Sequence, residues 1–252
     1  MWLTPPDVIW PLDGKTVFAI VAAQRTGSNL LERSLDQLSD VTCHGELFNA
    51  EFLGFHHAES DIFAGYERTE VARRDDDLAS YTQAVMSASR KPIVGYRIFQ
   101  NHHNEALRNT IYNPDIKKVV LRRNLLESFV SFKMASSTNQ RIVLHPGSRK
   151  EAAKVKFALE EFLVFVARHS LYYNEVYQAL SSTGQTFVSV DYSELKDPDV
   201  ANRIARFIGS SEEFESVPEL TLKQNTRTLR NSVENYDEMI TQLQKLRVRR
   251  YF

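Results

Sequence analysis

Residues 17–31 read VFAIVAAQRTGSNLL, an apolar run that passes through a short polar loop into the start of a helix. The run from Val17 to Ala23 contains only hydrophobic residues, which is typical of a parallel strand covered on both faces. After Asn29, leucines recur at helical spacing, at positions 30, 31, 35 and 38. Such a loop directs backbone N–H groups toward the helix N-terminus, where phosphate or sulfate binds well. Because Arg25 adds a full positive charge there, we predict an anion-binding loop, with an ordinary strand-to-helix turn as the alternative.

The composition is that of an ordinary globular protein and narrows the classes of function. The chain has 252 residues, a net charge of −1, 42% hydrophobic residues and 25% charged residues, which argues against bulk binding of nucleic acid or of an anionic membrane. Cys43 is the single cysteine, so we expect neither an intrachain disulfide nor a cysteine-based zinc site. No apolar run approaches the ~18 residues of a membrane span, and we expect no signal segment. We therefore expect a cytoplasmic protein without a transmembrane segment.

Strand and helix patterns alternate along the rest of the chain. Further strands are predicted over residues 41–44, 93–99, 116–121 and 186–192. Helices are predicted over residues 78–89, 105–110, from 125 onward, 151–180, 197–208 and 233–248, with a surface lead-in over 1–14 and a loop over 136–149. The alternation indicates an α/β fold with a mainly parallel central sheet flanked by helices. In such sheets ligands bind at the carboxyl ends of the strands.

Charged residues follow several of the predicted strands. Arg25 follows the first strand, and Arg122 and Arg123 end the fourth, so these arginines are expected at one edge of the sheet. Glu46 follows the short second strand and could act there as a general base for a hydroxyl. The alternative for each is a solvated charge or a structural ion pair. The histidines show no metal-binding spacing on a helix, so we predict no metal site.

Five segments, taken in order, resemble those of sulfotransferases that use 3′-phosphoadenylyl sulfate (PAPS). The likeness is to bacterial carbohydrate sulfotransferases, particularly the nodulation-factor type and its trehalose-sulfating relatives. The segments are AAQRTGSNLLERSL, HGELFN, VVLRRNLLESFVSF, VSVDYSELKDP and KQNTRTLRNSVENYDEM. The resemblance implies a P-loop-NTPase-like fold in a single domain over residues 1–252, in which residues 223–252 form a basic closing segment and a helix.

The resemblance also implies which residues hold the donor nucleotide. From the first segment, the 5′-phosphate and sulfonate would be held by Arg25, Thr26, Gly27, Ser28 and Asn29. From the third, the ligands of the 3′-phosphate would be Arg123 and Ser131. From the last two, the residues near the adenine and closing over the nucleotide would be Tyr192, Arg227 and Arg230.

The implied reaction moves a sulfuryl group from PAPS to a hydroxyl of a carbohydrate or glycolipid, leaves adenosine 3′,5′-bisphosphate (PAP) as product and uses no metal. Glu46 would be the catalytic base, and Arg25 would stabilise the leaving 5′-phosphate. Cytosolic sulfotransferases have lysine where Arg25 stands and use a histidine base, so His102 and His103 stay open as alternatives. An ATP-dependent phosphotransferase and a non-catalytic nucleotide-binding protein are the alternative functions. No nucleic-acid partner is expected, and the sequence leaves the oligomeric state open, a homodimer included.

Overall fold

The computed structural model describes residues 3–12, 14–56, 70–138, 153–218 and 228–246, and within these ranges five strands form one sheet. In chain order the strands are β1 (Thr16–Ala22), β2 (Val41–Cys43), β3 (Ile93–Phe99), β4 (Ile116–Arg122) and β5 (Phe187–Asp191). Their order across the sheet is β2-β3-β1-β4-β5, and every neighbouring pair is parallel. The predicted α/β class is confirmed. All strands therefore end at one edge of the sheet, which carries the candidate site.

Helices cover both faces of this sheet. In chain order they are α1 (Ser28–Leu35), α2 (Val71–Asp75), α3 (Leu78–Ala88), α4 (Asn104–Tyr112), α5 (Leu125–Thr138), α6 (Leu159–Ser182), α7 (Pro198–Ile208), α8 (Leu229–Ser232) and α9 (Tyr236–Lys245). Successive residues of a strand point to opposite faces. In β1, Val17, Ala19 and Val21 therefore pack against α3, α4 and α6, whereas Phe18 and Ile20 pack against α1 and α7. The central strand is buried from both sides, as its continuous apolar run predicts.

A third apolar cluster lies beside the sheet and supports α5. It joins α5 to the first half of α6 and to α8 and α9 through Phe129, Phe162, Val233, Met239 and Leu243, among others. Aromatic rings pack at its centre. The ring centroids of Phe129 and Phe162 are 5.4 Å apart, and the two ring planes meet at 62°. This packing fixes the helix that follows the fourth strand, and that helix carries Ser131.

The helix predicted over residues 151–180 begins later than its pattern suggests. Residues 153–158 are not helical, and Val155 forms an isolated parallel bridge with Val233. Asn235 holds this segment, since its side chain accepts from the Phe157 N–H at 2.8 Å and donates to the Phe157 carbonyl at 3.0 Å. Leu171, predicted on the core face, is 52% exposed. It follows the buried Val166 by five positions, which turns it well away from that face.

Other boundaries also differ from the sequence predictions. The N-terminal lead-in packs more deeply than a surface segment, because Leu3 and Trp10 are buried in the main core. Helix α5 continues through residue 138, so the first part of the predicted loop over 136–149 is helical and the remainder lies outside the described residues. The predicted helix from Pro198 to Ile208 is confirmed, and it ends at Gly209 with φ 102°. That residues 1–252 form one domain stays a prediction.

Candidate active site

The loop between β1 and α1 is a tight turn held partly by its own side chains. Thr26 donates a 2.7 Å hydrogen bond from Oγ1 to the carbonyl oxygen of Ala23. Gly27 caps α1 with φ 91°, in the left-handed region. Arg25 adopts φ 68°, a conformation that costs a non-glycine residue about 1–2 kcal/mol. The turn presents the first N–H groups of α1 at the edge of the sheet, which is the geometry of an anion-binding loop.

Tyr192 packs directly on this loop from the end of β5. A Cβ atom on Gly27 would come within 2.3 Å of the Tyr192 ring, so the glycine is required for the contact. The guanidinium carbon of Arg123 lies 4.1 Å from the centroid of the same ring, which is a cation–π contact. These two residues, which directly follow β4 and β5, thus close the side of the loop that faces away from Glu46.

Arg25, Ser131 and Arg123 converge although they come from distant parts of the chain. Arg25 donates from Nε to Oγ of Ser131 at 3.2 Å. Arg123 donates from Nη1 to the carbonyl oxygen of Arg25, also at 3.2 Å. Burial, and next the charge of Arg123, lower the pKa of Arg25, yet a guanidinium stays protonated at neutral pH. Two cations held this close repel each other, so a polyanion bound between them is stabilised.

A cavity of about 420 Å³ opens next to Arg123 at the ends of β4 and β5. Its lining residues are Arg122, Arg123, Asn124, Leu125, Glu127, Asp191, Tyr192 and Ser193. Arg123 points Nε and Nη2 at Oε2 of Glu127, at 3.2 and 3.0 Å. The Glu127 carboxylate is about half exposed, so a bound phosphate can compete with it for Arg123.

The hydroxyl of Tyr173 joins the ends of the two strands that carry the arginines. It accepts a 3.0 Å hydrogen bond from the N–H of Ala23 and donates a 2.7 Å hydrogen bond to the carbonyl oxygen of Leu121. Ala23 lies two residues before Arg25, and Leu121 lies two residues before Arg123. The sequence gives no direct sign of this role, since Tyr173 lies within the apolar pattern of a helix whose partner strands are far away in the chain.

Glu46 lies at the same edge, in the loop that follows β2. Its Oε1 is 3.3 Å from Nη1 of Arg97, and its Oε2 is 3.3 Å from Nε2 of His102. Asn49 donates from Nδ2 to Oε2 at 2.6 Å. Burial alone would raise the pKa of Glu46, but the contacts with His102, Arg97 and Asn49 outweigh it and lower that pKa to about 2. The carboxylate is therefore ionised and fixed in orientation at neutral pH.

His102 is the histidine that the structure brings to Glu46. Its Nδ1 accepts a 3.3 Å hydrogen bond from the N–H of Phe99, so the ring proton of the neutral form lies on Nε2, toward the carboxylate. Burial lowers the pKa of His102, while Glu46 acts in the opposite direction. His103 instead precedes α4, and its N–H donates to the carbonyl oxygen of Phe48 at 3.0 Å.

Arg97 and Glu32 complete this side of the site, and sequence reasoning missed both. The guanidinium of Arg97 pairs through Nε with Oε2 of Glu32. Its Nη1 reaches Oε1 of Glu46 and, at 3.4 Å, Oγ of Ser28. Arg97 is only 8% exposed. A charged residue inside the otherwise apolar strand pattern IVGYRIF was the available signal, because a buried charge needs partners.

The remaining predicted residues are placed as follows. Thr26 is buried in the loop, Ser28 is buried at the first position of α1, and Asn29 is half-buried in the same helical turn. Arg230 lies in α8 with an exposed side chain, where it pairs with Asp237 at 3.0 Å and lies 4.7 Å from the ring centroid of Tyr236. Arg227 lies outside the described residues.

The described ranges hold neither a metal-ligand cluster nor a membrane-spanning helix. They contain no group of three or more histidine, cysteine, aspartate or glutamate side chains able to hold a metal ion. No helix in the same ranges is both long and apolar enough to cross a bilayer.

Comparisons with known proteins bear on the family and the fold of the chain. The family model described as "Sulfotransferase domain" matches residues 15–252. A solved sulfotransferase domain from the curacin biosynthetic pathway has a TM-score of 0.51 and 16% identity, over 86% of this chain and 82% of its own. A sulfotransferase from Alicyclobacillus acidocaldarius has a TM-score of 0.48 and 20% identity, over 84% of this chain and 87% of its own. No curated protein matches significantly.

Proposed function

The chain belongs to the sulfotransferase domain family, and from this premise we propose that it moves a sulfuryl group from PAPS to a hydroxyl of a carbohydrate or glycolipid. Sulfuryl transfer follows from the family. The choice of PAPS as donor is supported by the residues that meet around Arg25. The carbohydrate acceptor, and a relationship to the nodulation-factor and trehalose type, are supported by the five ordered segments that resemble those enzymes.

The donor fits a site with two halves, one at the Arg25 loop and one at Arg123 and Ser131, which we call the cation site. The 5′-phosphate would lie on the loop of Arg25, Thr26 and Gly27, where the α1 N–H groups and the guanidinium favour an anion. The 3′-phosphate would bind Arg123 and Ser131, whose contacts to Arg25 keep the two halves at a fixed spacing. The adenine would stack near Tyr192, beside the cavity at the ends of β4 and β5. A nucleotide phosphorylated at both ends satisfies both halves, and ATP satisfies one.

In the reaction, the acceptor hydroxyl oxygen forms a bond to sulfur while the bond from sulfur to the 5′-phosphate oxygen breaks. The hydroxyl proton passes to Glu46, and the electron pair of the broken bond stays on PAP. Arg25 stabilises the charge that collects on that phosphate. Glu46 is already ionised in the free protein, and the sulfonate bound beside Ser28 raises its pKa because like charges repel.

The position of one atom of Arg97 carries the proposal. Nη1 of Arg97 lies 3.4 Å from Oγ of Ser28 in the donor loop and 3.3 Å from Oε1 of Glu46. One nitrogen atom therefore spans the predicted donor site and the predicted base. An anion seated on the loop is within reach of a hydroxyl whose proton Glu46 accepts, as an in-line transfer requires.

The test has a binding arm and a reaction arm. The protein is melted with PAP, with adenosine 5′-monophosphate, and with ATP and Mg²⁺. A ligand present at 100 times its Kd stabilises the folded state by about 2.7 kcal/mol. At equal concentrations the ligand with the lowest Kd raises the Tm most, and we expect that ligand to be PAP. The protein is then incubated with PAPS and a panel of glycans, glycolipids and simple phenols, and the mass gain of one sulfuryl group is measured.

Each outcome separates one function from the others. A shift with PAP together with a sulfated glycan or glycolipid supports the whole proposal. A sulfated phenol alone would keep the donor and refute the carbohydrate acceptor. Binding of PAP without any sulfated product would favour the non-catalytic nucleotide-binding protein. Consumption of ATP that depends on Mg²⁺, with no response to PAP, would favour the phosphotransferase.

A further inference from the structure

Arg97 holds the loop that carries Glu46 through both its main chain and its side chain. Its N–H donates a 2.7 Å hydrogen bond to the carbonyl oxygen of Gly45, which extends the pairing of β3 beyond the end of β2. From the same residue, Nη1 reaches the carboxylate of Glu46 at 3.3 Å. One residue of a buried strand thus contacts both the main chain and the carboxylate of this loop.

The same guanidinium is shared between two carboxylates. Glu32 pairs with Nε, while Glu46 and Ser28 share Nη1. Glu32 lies one helical turn after Ser28 on α1, so the two side chains lie on one face of the helix. The donor loop therefore leads directly into the helix that supplies the second partner of Arg97.

Glu32 is a costly residue for a merely structural position. Its side chain is 14% exposed, and a carboxylate so placed loses hydration that its partner must replace. Burial raises the pKa of Glu32, and the charge of Arg97 opposes that change. A neutral amide could also hydrogen-bond Arg97, but it could not offset the arginine's charge.

The partial neutralisation of Arg97 by Glu32 matters for the proton affinity of Glu46. An arginine that interacts with one carboxylate alone stabilises its ionised form and weakens it as a base. When Glu32 shares the guanidinium with Glu46, Glu46 stays oriented, and Arg97 stabilises its charge less. The efficiency of a general base rises with its proton affinity, so the sharing favours proton transfer.

Resting on the proposed function, we propose that Arg97 and Glu32 form a positioning pair for Glu46. Arg97 fixes the carboxylate beside Ser28, and Glu32 shares the charge of Arg97, so that Glu46 remains able to accept the proton of the acceptor hydroxyl. Neither residue of the pair takes the proton itself.

The main test is Glu32→Gln, followed as PAP release from PAPS with the best acceptor of the panel and with water as acceptor. We expect kcat to fall about 3- to 10-fold, while the Kd for PAP stays within about twofold because the phosphate ligands are untouched. The control is Glu213→Gln, which removes a surface carboxylate paired with Arg206 at 2.8 Å and should leave kcat unchanged.

A double-mutant cycle tests whether the effect acts through Glu46. In a Glu46→Gln background, adding Glu32→Gln should cause no further loss of the residual rate, because the base it acts on is already absent. An equal loss in both backgrounds would assign Glu32 a structural role and overturn the proposal. So would an unchanged kcat in Glu32→Gln alone.

Arg97→Lys provides a second variant that keeps the positive charge. One ammonium group cannot reproduce the fork that reaches Glu32, Glu46 and Ser28, so kcat should fall at least about 10-fold with PAP binding retained. A rate equal to that of the unchanged protein would refute the pairing. If the unchanged protein neither binds PAP nor releases it from PAPS, the proposed function itself is wrong. If it does both and the variants match it, only the positioning role of Arg97 and Glu32 is wrong.

Discussion

Arg123 donates a hydrogen bond from Nη1 to the carbonyl oxygen of Arg25 at 3.2 Å, so one cation of the site holds the backbone of the other. Arg25 in turn donates to Ser131, which lies two turns into the helix that follows Arg123. The two halves of the predicted phosphate site are therefore one hydrogen-bonded unit. Disturbing either half should affect binding at both.

Replacing Arg123 by methionine tests this unit. The change removes a phosphate ligand, the hydrogen bond to Arg25 and the cation over Tyr192. We expect the Kd for PAP to rise about 100-fold, since a hydrogen bond to a charged group contributes about 1.5–3 kcal/mol, and the preference for PAP over adenosine 5′-monophosphate to shrink. Calorimetric titration measures both. Arg122→Gln removes a neighbouring exposed charge and should cost at most about threefold; equal losses in the two variants would show that charge alone counts.

Gly27 should tolerate no side chain, because Tyr192 lies against it. Gly27→Ala places a methyl group 2.3 Å from the ring at φ 91°. We expect the free energy of unfolding to fall by about 1–3 kcal/mol from the clash, beyond the strain of the positive φ. Gly14→Ala is the matched control, since Gly14 has φ 82° and nothing within 4 Å of its added Cβ. Urea unfolding compares the two, and similar losses would contradict the contact with Tyr192.

Tyr173→Phe should weaken both stability and donor binding. The variant leaves the Ala23 N–H and the Leu121 carbonyl without their buried partner, which costs about 1–3 kcal/mol. The released strand ends should also raise the Kd for PAP. Tyr177→Phe, on the same helix, loses an exposed hydrogen bond to Ser189 and should change stability by less than about 0.5 kcal/mol. A Tyr173 variant that matches this control would refute the bridging role.

The sequence predicts the sheet well because each strand has a recognisable local sequence pattern. An unbroken apolar run such as that from Val17 to Ala23 is typical of a strand buried on both faces, and β1 is such a strand. Residues at the ends of strands are also predictable as a group, since parallel strands end at one edge. Hence Arg25, Arg123 and Glu46 were correctly expected at the same edge.

Features that depend on partners far along the chain were not predictable in this way. The segment around Val155 is not helical because Val233 and Asn235 hold it, and a local helical pattern cannot reveal that. The roles of Arg97 and Tyr173 depend in the same way on which side chains the register of the sheet brings opposite them. The roles of the predicted site residues themselves stay predictions.

Glu46→Gln tests the predicted base directly. The amide keeps the size of the side chain and one acceptor oxygen, for Arg97 or for His102 and Asn49, but its NH2 group then faces a donor on the other side, and the amide cannot take a proton. We expect turnover with PAPS to fall by about 10²-fold or more, with the Kd for PAP within about threefold because Glu46 contacts no predicted phosphate ligand except through Arg97. His103→Gln is the comparison, and a full loss there with an active Glu46 variant would move the base to His103.

Acid should destabilise the protein partly through the same carboxylate. The pKa of Glu46 is about 2 in the folded protein against 4.5 for the free group, so its contribution is present above pH 4.5 and is lost as the pH falls toward 2. His102 acts in the same direction, because burial lowers its pKa below 6.5 and protonation then favours the unfolded chain. Glu46→Gln removes the carboxylate and also its contact with His102, which opposes the lowering of the His102 pKa, so comparing this variant with the unchanged protein measures the coupled pair. The stability difference between them, measured by urea unfolding, should narrow by on the order of 2 kcal/mol from pH 7 to pH 3. A constant difference would mean that Arg97 and His102 do not hold the charge of Glu46 as the geometry indicates.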